Sequence, residues 1–207
     1  RQRQMCIRDR NDLQQFIAAK VMRLYHQKSS GVSSATAQLA KLRRGTGEPP
    51  LAHPELWGFV LEKEDGTEGI PEEYRGKGDQ PSNAENAAYT ALTLFALHQQ
   101  AQNQPMHVAG VSFGQAVGRL VSQTTSSMKK RFDSLLTAQT ENARQHYLRS
   151  LITLLRSEGI AFDYGRFATD YMYLLNPTTR QKVLYRWNRD FSYGLIPVRA
   201  VANKTTK

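Results

Sequence analysis

Apolar residues recur at three- and four-residue intervals along most of this chain, and alternating runs of the strand type are few. Ile17, Val21 and Leu24 form one stripe, with Leu13 and Phe16 beside it, and predict a helix over about 12–27. Lys20, Arg23 and Gln27 fall on its opposite side. A turn-rich break at 29–34 follows, where Ser33 or Ser34 is placed to cap a second helix that Gly45 ends. Ala35, Leu39 and Leu42 are the buried face of that helix. After a proline-containing loop, Leu56, Trp57 and Val60 predict a short helix over 54–61. Residues 62–83 hold four glycines, two prolines and most of the acidic charge, and read as a long surface loop.

Ser82 or Asn83 caps the next predicted helix, about 84–102, with Ala88, Leu92, Phe95 and Ala96 inward. A loop over 103–109 leads to a helix that Ser112 opens and that ends near Gln123. Gly110, Gly114 and Gly118 stand four apart there. That spacing permits close helix–helix approach, and it matches neither a Walker nor a dinucleotide-binding pattern. Ser126 or Ser127 caps a short helix with Met128, Phe132, Leu135 and Leu136 inward, and a long helix over about 141–158 carries Tyr147, Leu151, Leu154 and Leu155. Phe167, Tyr171 and Leu174 mark a helix over 163–175, and Val183, Trp187 and Phe191 mark a last one from Pro177 to about Tyr193. Arg186 and Asp190 are spaced for an i, i+4 pair. The expected fold is an all-α helical bundle. We expect an N-terminal helical unit over 11–62, an acidic surface loop over 63–83, a C-terminal bundle over 84–193 and a tail over 194–207. Residues 1–10 (RQRQMCIRDR) lack an apolar period, and they read as an extension outside the fold.

The 207 residues suit one domain with a real core, and a single cysteine, Cys6, rules out a disulfide framework within the chain. The longest apolar stretch, 87–97, is far short of the ~20 residues that a membrane-spanning helix needs. The N-terminus has no apolar run followed by small residues. These features lead us to expect a soluble, cytoplasmic protein with no membrane partner.

Charge changes the picture. The net charge is +10, but it is unevenly spread: residues 1–47 carry 10 basic and 2 acidic groups, 48–90 carry 3 and 10, and 91–207 carry 15 and 6. Two basic segments flank an acidic one, and their fields attract polyanions. Lys129, Lys130 and Arg131 lie in the first turn of a helix, at the positive end of its dipole, where an external anion would relieve them. Lys41, Arg43 and Arg44 end the second helix, where the dipole favours cations even without a ligand.

Enzymatic chemistry finds little to stand on. The five histidines, His26, His53, His98, His107 and His146, form no i, i+3 or i, i+4 pair, and there is no HExxH, GxSxG or P-loop. Carboxylates cluster only in the loop at 62–79, which is no preorganised metal site. We therefore expect a binding protein with no catalytic residue, no metal and no cofactor.

Certain segments in order carry a family resemblance: AQLAKLRRG at 37–45, PELW at 54–57, GVSFGQAVGRL at 110–120, KKRFDSLL at 129–136, HYLRSLITLLRSEGIAFDYGRF at 146–167 and VLYRWNRDF at 183–191. Together they resemble the CasB family, the small subunits of type I-E CRISPR Cascade effector complexes, over about residues 12–193. The resemblance implies an all-helical, non-enzymatic subunit that helps to hold the R-loop. It would contact the displaced non-target DNA strand and support the guide–target duplex. The implied partners are crRNA, target DNA, the backbone and large subunits of the complex, and a second copy of the chain.

Base pairing with the guide reads sequence in such complexes, so sequence-tolerant backbone contacts suffice. The family's basic patch carries over best to Arg43 and Arg44, with Lys41 beside them, then to Lys129, Lys130 and Arg131, and to Arg149. Arg119, Arg144, Arg156 and Arg189 are further candidates. The acidic loop would repel nucleic acid and should face outward or towards a protein neighbour. Two other readings stay open. One is a helix-turn-helix regulator of duplex DNA, with 110–131 as its nearest candidate. The other is a nuclease without an obvious motif.

Overall fold

The apolar stripes fold into helices α1 (Gln2–Ser29), α2 (Ser33–Arg44), α3 (Trp57–Leu61), α4 (Asn83–His98), α5 (Phe113–Gln123), α6 (Ser127–Thr137), α7 (Glu141–Ser157), α8 (Tyr164–Leu175) and α9 (Pro177–Gly194). The computed structural model describes residues 2–61, 69–70, 72–123 and 127–196. Among them the only β contact is a bridge between His107 and Phe162, so the architecture is all-α as expected. No described helix is long and apolar enough to cross a membrane. Of the expected features, residues 62–68 and 71 of the acidic run, Ser126 and residues 197–207 of the tail fall outside the described residues, while Ile70 of that run is buried and Glu72–Tyr74 form a short 3-10 helix.

The core is one cluster that takes in Leu13, Ile17 and Val21 of α1, Leu39 and Leu42 of α2, most of α4, and Phe167, Trp187 and Phe191 of α8 and α9. Helix α4 is its axis, buried on nearly every face. A capping box fixes where it starts: the Ser82 hydroxyl accepts from the Glu85 N–H at 3.1 Å, and the Ser82 N–H donates to the Glu85 carboxylate at 2.7 Å. It ends at His98, short of the expected Gln102. The buried Gln99 side chain donates to the carbonyls of Gln102 and Gln104 and accepts from the Met106 N–H, which turns the chain sharply. His98 itself is buried against Tyr164, 3.0 Å from its hydroxyl, and burial pushes its pKa down to about 3.

Helices α5 and α9 approach closely because Gly114 and Gly118 leave no side chain between them. A Cβ on Gly114 would fall on the Trp187 carbonyl oxygen, and one on Gly118 on that of Phe191. The glycine spacing therefore serves packing. Gly110 stands apart from this function, in a turn at φ +83° with its N–H donated to Asp163 at 3.0 Å. Beside this seam the Phe113 and Trp187 rings lie 5.0 Å apart, and those of Phe132 and Phe191 4.9 Å.

Four local expectations change. Helix α1 starts at Gln2, not near Asp12, since no glycine or proline interrupts the turns between. Val32 precedes α2 with no side-chain cap, so neither Ser33 nor Ser34 caps it. Lys20 is not on a solvated face: it is 8% exposed, donates to the Phe59 carbonyl and lies 4.3 Å from the Phe59 ring centroid. Arg186 and Asp190 do not pair with each other. Arg186 binds Asp170 of α8, which also accepts from the Trp187 indole at 2.8 Å, and Asp190 binds Arg166 at 2.7 Å. Both ion pairs join α8 to α9, because partners on adjoining helices meet at the buried seam.

Candidate nucleic-acid interface

Lys41, Arg43 and Arg44 occupy the last turn of α2. The chain beyond them is bolted to α4: the Tyr89 hydroxyl donates to the Gly45 carbonyl at 3.1 Å, and the Thr46 hydroxyl to that of Thr93 at 3.1 Å. A Cβ on Gly45 would run into the Tyr89 hydroxyl, so a side chain there would displace the Tyr89 bond. The basic turn is thus held at a fixed place. Lys41 and Arg44 are exposed, and Arg43 is half-buried.

Gly47, at φ +87°, carries the chain past α7, and a Cβ there would lie 4.0 Å from Cδ of Arg149. Arg149 and Arg156 lie seven residues apart on α7, two turns along one face. Arg156 Nη1 donates to Gln100 Oε1 at 2.8 Å and to the Leu97 carbonyl at 3.4 Å. Its charge reaches Arg43, whose pKa is lowered first by burial and then by that like charge. The fold therefore sets Arg156 within electrostatic reach of Arg43, and Arg149 beside Gly47, although the two segments are more than a hundred residues apart in sequence. None of the three forms an ion pair among the described residues. Arg43 and Arg156 repel one another, and an external anion would relieve the repulsion.

Helix α6 approaches the other flank of α7. Arg131 donates to the Ser150 hydroxyl, next to Arg149 in sequence. Lys129 is paired with Asp133 at 2.7 Å, whereas Lys130 is exposed and makes no ion pair among the described residues. Arg119 is half-buried on α5 and Arg189 exposed on α9, and neither has a hydrogen bond or ion pair to the α2–α7 arginines among the described residues.

Arg144 is a correction. It is 5% exposed, with Nε on Glu141 at 3.0 Å and Nη1 on the Ala138 carbonyl at 3.1 Å, so it offers nothing to a phosphate. The buried stripe of α7 is Arg144, Leu148, Leu151, Ile152 and Leu155, while Tyr147 and Leu154 are only half-buried. Leu148 and Ile152, four and eight residues after Arg144, were the signal in the sequence for its inward position. Sequence reasoning also missed Gly47 and Gln100, whose parts depend on chain segments distant in sequence.

Among the described residues no three His, Cys, Asp or Glu side chains are grouped to hold a metal ion. What the arrangement offers is guanidinium donors on a firm frame, which suits phosphate oxygens.

The family model for the CRISPR-associated protein Cse2 matches residues 38–191, a span that contains every candidate cation named above. This chain belongs to the Cse2 family. It is thus a CRISPR-associated protein, and the family implies work in a complex with other Cas subunits. Among solved structures, CasB from Thermobifida fusca is 32% identical, with 86% of this chain and 97% of that one covered and a TM-score of 0.71. A Cse2-family protein from Thermus thermophilus is 25% identical, with 87% and 97% covered and a TM-score of 0.62. A structure of CasB from Thermus thermophilus, at 24% identity and a TM-score of 0.59, shares the fold. No curated protein matches the chain.

Proposed function

We propose that this Cse2 protein is the non-catalytic small subunit of a crRNA-guided type I-E Cascade complex, holding nucleic-acid backbone to stabilise the R-loop. Its ligands are the displaced non-target strand and the guide–target duplex. Its protein partners are the backbone and large subunits and a second copy of itself. The observation that carries this reading is that Arg156 of α7 lies within electrostatic reach of Arg43 while Arg149 stands beside Gly47 in the turn after α2, none of the three with an ion pair among the described residues. Lys41, Arg44, Lys130 and Arg131 extend the positive surface from the same two sides. Such a surface binds phosphates without reading bases, as a subunit needs when the guide supplies specificity.

The regulator reading has less support, because the face of α5 that includes Gly114 and Gly118 is committed to α9. A helix-turn-helix over 110–131 would use α5 as its first helix, and the glycine face of α5 suits a close helix seam better than that motif.

Fluorescence anisotropy with labelled single-stranded and duplex DNA of unrelated sequences, over a range of salt, tests the proposal. The unmodified chain should bind single strands with little regard to sequence and weaken as salt rises. The double variant Arg43→Ala, Arg149→Ala should flatten the log–log salt dependence by about 0.7 per phosphate contact removed. A double variant with unchanged affinity and salt slope would sink the patch, and tight binding to one duplex sequence would favour the regulator.

A further inference from the structure

Of the chain's 8 Phe, 9 Tyr and 2 Trp, only Tyr185 and Tyr193 are exposed, at 72% and 60%. Every other ring is buried or half-buried. Both tyrosines lie on α9, eight residues apart, and exposed Arg189 stands midway between them. Positions i, i+4 and i+8 form one ridge, so the three side chains follow each other at steps of about 6 Å along the helix. Neither tyrosine hydroxyl has a partner among the described residues. Exposed Lys182 adds a second cation on the same side of the helix, seven residues before Arg189. Asp190, the one carboxylate of α9, is committed to Arg166 at 2.7 Å. The ridge is therefore aromatic and cationic, with no free acid on its helix.

We propose that Tyr185, Arg189 and Tyr193 form a stacking platform for the bases of a single-stranded nucleic acid, distinct from the phosphate-holding cluster on α2 and α7. The inference rests on the nucleic-acid reading above for its ligand class. Aromatic rings interleaved with arginine take any base through its π-face, and the guanidinium adds a cation–π or phosphate contact. Sequence tolerance follows, since stacking reads no hydrogen-bond pattern. The charge of the ridge decides between a strand and a protein partner, because Lys182 and Arg189 without a free carboxylate complement a polyanion. A ring left open to water on a helix whose Trp187 and Phe191 are buried also marks a face that packing among the described residues does not use.

The test is anisotropy of the full chain with labelled oligo-deoxythymidine at low and moderate salt. The double variant Tyr185→Ala, Tyr193→Ala should bind at least about five-fold more weakly for each base unstacked, with the salt slope unchanged. The double variant Tyr185→Phe, Tyr193→Phe should bind like the unmodified chain, because stacking needs the ring and not the hydroxyl. Both pairs are exposed, so melting temperatures should hold. Unchanged binding by the alanine pair overturns the platform, as does failure of the phenylalanine pair to bind, or a chain that does not bind the oligonucleotide at low salt. If the alanine pair keeps DNA affinity but loses co-purification with other Cas subunits, the ridge is a protein docking face instead. The cluster on α2 and α7 is judged separately: if Arg43→Ala, Arg149→Ala leaves the salt slope intact while the tyrosine variant loses affinity, the cluster fails and the platform stands.

Discussion

Replacing Gly118 by alanine adds one methyl group where two helical backbones meet. That methyl would fall on the Phe191 carbonyl oxygen and lie 2.8 Å from the Gly194 Cα and 3.0 Å from its carbonyl carbon. All of these atoms are backbone, so no rotamer change relieves the overlap and α5 must move away from α9. Opening such a seam by roughly 0.5–1 Å forfeits a quarter to a half of each dispersion contact across it. Overpacking of this kind costs about 1–3 kcal/mol. Alanine returns roughly 0.5–1 kcal/mol over glycine in a helix. The expected net loss is about 1–2 kcal/mol, or a fall in Tm of roughly 2–8 °C for a chain of this size.

Gly114→Ala meets the Trp187 carbonyl in the same way. The double variant should lose less than the sum of the two, because one separation relieves both. Gly58→Ala is the control. Gly58 is exposed in α3 with nothing within 4 Å of its Cβ position, so this change should stabilise by about 0.5–1 kcal/mol. Calorimetry, or urea unfolding followed by circular dichroism, measures all four. A Gly118→Ala chain that melts at or above the unmodified Tm would refute the close-approach reasoning.

Two further outcomes follow from buried groups. His98 has a folded pKa of about 3 against an ordinary 6.5, so the unfolded chain takes up the proton first and stability falls as pH drops below about 6.5. This one group should cost about 2 kcal/mol by pH 5. His98→Gln should flatten the fall in urea midpoint between pH 7 and 5, and an unaltered slope counts against it. Arg144→Ala removes a buried cation from Glu141 and the Ala138 carbonyl. It should lower the Tm while leaving the salt slope of DNA binding unchanged, the reverse of Arg149→Ala. A loss of salt slope in the Arg144 variant would return that residue to the interface.

The helix count and most helix faces were legible in the sequence, because burial on one side of a helix imposes its own period. Ile17, Val21 and Leu24, or Val183, Trp187 and Phe191, announce their faces without any partner, and each proves buried. The Gly114–Gly118 spacing likewise stated that something comes close, although not that α9 does. The capping box at Ser82 is local, so its position could be read from Ser82 onward.

What the sequence could not settle depends on segments far apart in the chain. Arg144, Arg149 and Arg156 all look like surface arginines on one helix. Packing buries the first along the stripe that Leu148 and Ile152 already mark, and, through segments distant in sequence, leaves Arg149 exposed beside the turn after α2 with Arg156 near Arg43. Lys20 reads as solvated until Phe59, thirty-nine residues later, covers it. Arg186 and Asp190 satisfy a local spacing rule, yet each has a stronger partner on α8. A short-range rule holds only while nothing else competes for the same donor. In a packed core the nearest acceptor is set by which helices lie side by side, and only the tertiary structure decides that.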